Sequence, residues 1–186
     1  MREPRLRRLL SAVAIFLSAL ALQRACTLAW GRGVAAGSHV HLTVMGLTRR
    51  PASADRPVVD CRWWPRYGDA TLCAVSPGAT AAAGRLRAAY PLLQVGLWLS
   101  VASMFLQALR VPRSRAAQAA LPALVAALTV AAVLFVRQGA AAALAALDGI
   151  PMHLSGAGFV AAIAAAVLAA ASAALLATTP PRGPST

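Results

Sequence analysis

Four apolar runs, each long enough to cross a bilayer as a helix, constrain the fold of this chain more than any other feature. They cover residues 9–30, 90–109, 116–136 and 156–178. A helix needs roughly 20 apolar residues to cross the hydrocarbon core. With 59% hydrophobic residues and a mean hydropathy of +0.66, the chain is too apolar for a typical soluble domain. We therefore predict a mainly α membrane protein, built as a four-helix transmembrane bundle.

The short connections predict the orientation of these spans. Arginines concentrate before the first run and between the second and third, at Arg2, Arg5, Arg7, Arg8, Arg110, Arg113 and Arg115. Short basic connections favour the cytoplasmic side. The prediction is thus a cytoplasmic N-terminus (1–8), loop (110–115) and tail (179–186), with external loops at 31–89 and 137–155. Loop 31–89 would be extracellular or periplasmic, and the plasma membrane is the expected location.

The first apolar run allows two interpretations. It fits a transmembrane helix, but its basic start and the small residues Ala19 and Ala21 also fit a cleaved signal peptide. Arg24, near its outer end, can extend its guanidinium to the headgroups or pair with Asp60 or Asp69 of the loop. Under either interpretation loop 31–89 lies outside.

The long external loop carries strand patterns. Val40, Leu42 and Val44 alternate with polar residues over 38–45, a period of two that indicates a half-buried strand. Segments 58–64 and 71–75 alternate in the same way and flank a turn-prone stretch. We therefore predict a small antiparallel β-sheet in this loop.

Two cysteines lie in these last two segments. An antiparallel pairing about Tyr67 sets Cys61 opposite Cys73 on one face. Such a disulfide persists outside the cytoplasm and stabilises a loop of this size by about 3 kcal/mol in the chain-entropy model. A structural disulfide is the primary prediction, and a reactive redox pair or two free thiols are the alternatives.

Alanine-rich segments extend or line the predicted helices. Residues 79–89 and 139–147 favour helix and adjoin the second and third spans. On the fourth span, small residues recur every fourth position, a spacing that lets helix backbones approach closely. These predicted packing residues are Gly158, Ala162, Ala166, Ala170 and Ala174. They indicate tight bundling or contact with a partner helix, although an alanine-rich segment also gives such rows by chance.

Several function classes find little support in the residues. The arginines are scattered rather than interleaved with stacking aromatics, which argues against nucleic acid as a partner. His39 and His41 share a strand face without a nearby carboxylate, so no metal or cofactor site is predicted, and His153 falls in a loop. Beyond the first loop the only acidic residue is Asp148, whereas ion pathways usually place charges inside the spans. We expect no enzyme activity; a thiol-redox membrane enzyme is the remaining enzymatic alternative.

The overall layout resembles the claudin-like tetraspan superfamily. The resemblance rests on four spans, an external loop of strands with two cysteines, Trp30 ending the first span and Arg87 preceding the second. In that family a Gly-Leu-Trp precedes the first cysteine, whereas here Gly46-Leu47 is followed by Thr48. The resemblance implies a structural, adhesion or junction-type scaffold whose external sheet meets partners.

Under this resemblance Trp63, Trp64 and Tyr67 become candidate interaction residues, since aromatic anchors dominate protein interfaces. The same residues also suit a position at the headgroup level. Besides the lipid bilayer, the predicted partners are a second copy of the chain or another membrane protein, contacted through the external loop and the fourth helix. The alternative function is a small accessory subunit of a larger membrane transport or enzyme complex.

Overall fold

The computed structural model describes residues 3–35, 38–50, 58–62, 80–109, 115–146, 152–154 and 156–178. Its helices are α1 (Glu3–Thr27), α2 (Thr80–Ala108), α3 (Arg115–Ala146) and α4 (Ala157–Ala177). All four are long and apolar enough to cross a membrane. The prediction of a mainly helical fold with four apolar helices is confirmed.

Two helices continue beyond the apolar runs, as their alanine-rich flanks predict. Helix α2 already begins at Thr80 and stays helical across Pro91. Helix α3 continues to Ala146. In the α2 extension Ala83, Leu86 and Ala89 are buried, so this segment packs against the rest of the protein rather than standing alone in solvent.

The helices form a ring in chain order, in which α4 closes against α1. Side-chain contacts fix an antiparallel α1–α4 pair: the Ser11 and Ser172 hydroxyl oxygens are 2.8 Å apart, and the Ser18 hydroxyl donates to the Ala165 carbonyl at 2.9 Å. Beyond Ser11, the Arg7 guanidinium donates to the Thr178 carbonyl at 3.0 Å. This end of the bundle, which we call the terminus end, thus holds the start of α1 and the end of α4.

The buried polar side chains of the described helices are all hydroxyls, and each has a hydrogen-bond partner. Ser11 and Ser172 bond each other, Ser18, Ser100 and Thr129 donate to backbone carbonyls, and Ser103 accepts from Gln107. Hydroxyls bonded across or along helices help to hold membrane bundles together. These groups therefore act as packing contacts within the bundle.

The outward surface of the helices is apolar. Large side chains that face away from the core include Phe16, Trp98, Phe105, Val160 and Val167, with Trp98 69% exposed. A soluble monomer rarely presents an apolar surface of this extent. Lipid is the environment that fits it.

The predicted small-residue row on α4 divides between the inside and the outside of the bundle. Gly158 and Ala162 are buried and Ala166 is half-buried, whereas Ala170 and Ala174 are exposed. A step of four residues advances about 400° around a helix, so such a row turns by about 160° over 16 residues. The buried line instead alternates steps of four and three through Gly158, Ala162, Ala165, Ala169, Ser172 and Leu176.

A five-stranded antiparallel sheet lies at the opposite end of the bundle, the sheet end. Its strands are β1 (Gly31–Ala35), β2 (Ser38–Leu42), β3 (Gly46–Arg50), β4 (Val58–Arg62) and β5 (Met152–His153), in the order β4-β3-β2-β1-β5. The strands predicted over 38–45 and 58–64 are present as β2 and β4, although β2 ends at Leu42 and residues 63–64 lie outside the described residues. The sequence did not indicate β5, which joins β1 from the far end of the chain.

Trp30 joins the helices to this sheet. Its side chain is fully buried; its indole N–H donates to the Ala25 carbonyl at 2.6 Å, and its ring meets Phe159 edge-on at 6.1 Å between centroids. Its backbone N–H donates to the Leu42 carbonyl at 2.7 Å, which fixes the end of β2. One residue thus contacts α1, α4 and the sheet.

The first turn of α4 completes this contact through backbone groups. The Trp30 carbonyl accepts from the Gly156 N–H at 3.1 Å, and the Ala29 carbonyl accepts from the Gly158 N–H at 2.8 Å. Helix starts leave such N–H groups without intrahelical partners. We call Ala29, Trp30, Gly156, Gly158 and Phe159 the tryptophan junction.

Glycine is required at Gly158 by close packing. A Cβ there would lie 2.6 Å from Trp30 Cδ1 and 2.7 Å from the Leu28 carbonyl oxygen, both inside van der Waals contact. At Gly156 a Cβ would collide with the Ala29 carbonyl. The junction therefore depends on the absence of side chains at both positions.

Substituting Gly158→Ala tests the junction. Because the added methyl collides with backbone as well as the Trp30 ring, we expect a loss of about 2 kcal/mol in the free energy of unfolding. The measurement is reversible unfolding in detergent micelles, followed by tryptophan fluorescence.

Gly84→Ala is the matched control, since nothing lies within 4 Å of a Cβ at this exposed position in α2. Alanine is a better helix former than glycine, so this variant should gain up to about 1 kcal/mol. Equal stability of the Gly158→Ala variant and the parent protein would contradict the packing argument.

Candidate interaction surface on the sheet

The two faces of the sheet differ sharply in burial. Val40, Leu42 and Val44 are buried in the same core cluster as Trp30 and Leu86. Along the same strand His39 is exposed and His41 is half-buried. The predicted alternation over 38–45 is confirmed, with the apolar side turned into the core.

The outer face of the sheet is defined here by Arg32, Val34, His39, His41, Thr48 and His153. Arg32, Val34, His39 and His153 are exposed, and His41 and Thr48 are half-buried. Directly opposite residues of antiparallel strands share a face and lie roughly 5 Å apart. Strand register therefore decides which of these side chains are neighbours.

One cross-strand row places a guanidinium between two imidazoles. Arg32 of β1 lies opposite His41 of β2 on one side and opposite His153 of β5 on the other. Thr48 of β3 continues the row beyond His41. We call Arg32, His41 and His153 the basic row.

A second row lies two residues along the strands. Val34 faces His39 across β1 and β2, and His39 faces Arg50 of β3 in register. Val34 is 59% exposed, which is unusual for a large apolar side chain on a sheet. The outer face thus combines hydrogen-bond donors with one apolar contact point, a composition suited to binding another surface.

The polar side chains of this face mainly offer hydrogen-bond donors. A guanidinium offers five N–H donors in a fixed fork, and an imidazole adds at least one. In the described part of the chain, there is no cluster of three or more histidine, cysteine, aspartate or glutamate residues that could hold a metal ion. The surface is therefore suited to binding hydrogen-bond acceptors such as carboxylate or phosphate oxygens.

Most of the site residues predicted in the external loop fall outside what the structure describes. Cys61 lies in β4, opposite Leu47 of β3, but its side chain is not described. Trp63, Trp64, Tyr67 and Cys73 lie outside the described residues. The predicted pairing of 58–64 with 71–75 and the disulfide between them stay predictions.

Comparison with known proteins gives no family for this chain. No protein-family model matches it, and a search of curated proteins finds no match. The interpretation of the surface therefore depends on its geometry and chemistry.

The sequence predicted two of the six residues of the outer face. The alternation in β2 placed His39 and His41 together, but nothing in the local pattern connects them to Arg32. His153 lies in the second predicted external loop, 137–155, where the sequence indicated no strand; in the structure Met152 and His153 pair with β1. A two-residue strand is too short for a period of two to be recognised, so only the fold could bring His153 into the row.

Proposed function

We propose that this protein is a non-enzymatic multi-pass membrane scaffold that engages a partner through the outer face of its sheet. The proposal rests on one observation. The outer face of the sheet is exposed and rich in hydrogen-bond donors, whereas its inner face packs against the bundle. The partner is a second copy of the chain or another membrane protein. This is the structural, adhesion or junction-type role that the resemblance to claudin-like proteins implies.

The proposed orientation places the sheet outside the plasma membrane, extracellular or periplasmic, and both termini in the cytoplasm. Its support is the distribution of arginine at the terminus end. Gln107, near the end of α2, comes within 3.5 Å of Ser11, so the connection 110–114 begins at the same end as Arg5, Arg7 and Arg8. Positive charge in short connections on one side matches the positive-inside pattern.

Attachment of the sheet to the bundle supports a binding rather than a gating role. Trp30 and the glycines of α4 connect the strands to two spans by hydrogen bonds of 2.6–3.1 Å. A surface held in this way is preorganised, so less conformational entropy is lost when a partner binds it. The buried polar side chains of the described helices are hydroxyls with partners inside the bundle, which favours packing over transport.

We further propose that Cys61 and Cys73 form a disulfide that holds the outer strands of the sheet. Cys26 is a buried free thiol in α1, and the chain has only three cysteines. The only intramolecular bond left is therefore between the other two. An oxidising exterior keeps such a bond intact.

Peptide mapping of the non-reduced protein tests this pairing. We expect a linked peptide that contains Cys61 and Cys73 and separates on reduction, with Cys26 alkylated only after denaturation because it is buried. Full alkylation of Cys61 and Cys73 in the native, unreduced protein would contradict the proposal.

An accessory subunit of a larger complex is the second candidate function. The observation that favours it is the exposure of Ala170 and Ala174 on the outward face of α4. Small side chains on an outward face allow a partner helix to approach closely. In that case docking would occur within the membrane and not through the sheet.

Site-specific photocrosslinking separates the two candidates. A photoreactive amino acid at Val34, on the outer face, should give a discrete protein adduct, because this side chain is 59% exposed at the proposed interface. The same probe at Val160, which is 61% exposed on α4, is the matched control and should react with lipid only. Adducts are resolved by denaturing gels and identified by mass spectrometry.

A probe at Ala170 distinguishes the alternative. Protein adducts from Ala170 together with none from Val34 would overturn the scaffold proposal and favour the accessory subunit. An adduct of Val34 with a second copy of the chain would identify self-association.

A further inference from the structure

We propose that the basic row binds the phosphate of an anionic phospholipid headgroup. The row consists of Arg32, His41 and His153, brought side by side by the register of β2, β1 and β5. This inference goes beyond the scaffold function, since it concerns lipid rather than a protein partner. It requires only that the four helices cross a membrane.

The closeness of the row to the ends of two predicted spans indicates a lipid headgroup as its ligand. Helix α1 ends at Thr27, and α4 begins at Ala157, so Arg32 and His153 each follow or precede a span by only a few residues. The junction holds this segment against both helix ends through Trp30 and Gly156. The headgroup layer extends roughly 6 Å beyond the hydrocarbon core on each side, so a span that ends near Thr27 would bring Arg32 to that layer.

The orientation of the row is also suitable. Val40 and Leu42 of β2 point into the core, so Arg32, on the opposite face, is directed away from it. Arg32 and His153 are exposed. Arg32 and His153 are therefore accessible to a ligand at the end of the bundle where α1 ends and α4 begins.

Charge and geometry match a phosphate group. Strands β1, β2, β3 and β5 contain no acidic residue. Two strand spacings separate His41 from His153, about 10 Å, with Arg32 midway. An arginine fork binds phosphate oxygens through two parallel hydrogen bonds, and an N–H of the exposed His153 imidazole can donate to a third oxygen.

Lipid retention in native mass spectrometry tests the site. The protein is reconstituted with phosphatidylglycerol or with phosphatidylcholine, extracted into detergent, and the bound phospholipid is counted. We expect the parent to retain phosphatidylglycerol preferentially, and the Arg32→Gln variant to retain about fivefold less. His153→Gln should also lower retention, because it removes an adjacent donor.

The matched control is Arg85→Gln, which removes the same charge from an exposed position on the α2 extension and should retain lipid like the parent. Unfolding curves of each variant distinguish loss of the binding site from loss of folding.

Equal retention by Arg32→Gln and Arg85→Gln would overturn the proposal. Equal retention of phosphatidylglycerol and phosphatidylcholine by the parent protein would also overturn it, by showing no preference for an anionic headgroup. Because retention is measured on the isolated protein, it is independent of the crosslinking result.

Discussion

Trp30 is the contact on which the rest of this structure depends. Its side chain is buried between α1 and α4, and its backbone bonds the end of β2 and the first turn of α4. Two glycines make room for it, since a Cβ at Gly156 or Gly158 would overlap Ala29, Leu28 or Trp30 itself. A tryptophan can fill this role because its large ring buries apolar area while its N–H still finds an acceptor. Without the junction, the sheet would be connected to the bundle by its loops and apolar inner face alone.

The bundle and the sheet are stabilised by different interactions. In lipid the helices satisfy their own backbone hydrogen bonds, and small or hydroxyl-bearing residues such as Ser11, Ser18 and Ser172 pack their buried faces. Outside lipid, the strands bury Val40, Leu42 and Val44 against the bundle. The consequence is an exposed sheet face held on one end of the bundle, with Arg32, His39 and His153 on it.

The sequence was sufficient to predict the helices, because span length and alanine-rich composition act locally. It also predicted the inward side of β2, since alternation is a local pattern. Contacts between distant segments could not be predicted in this way. The pairing of His153 with Arg32 and the packing of Gly158 against Trp30 depend on how α4 closes onto α1. Beyond Ala162 the predicted row of small residues leaves the buried line of α4, because a period of four drifts around a helix whose true period is 3.6.

We propose that the sheet end and the terminus end lie on opposite sides of a membrane, with the sheet outside. Labelling of Val34→Cys and Thr178→Cys variants with a membrane-impermeant maleimide in intact cells tests it most directly, with the parent chain as background. Both positions are exposed and lie at opposite ends of the bundle. The account predicts that Val34→Cys is labelled in intact cells, and Thr178→Cys only after permeabilisation. Labelling of both positions in intact cells, or of Thr178→Cys alone, would contradict it.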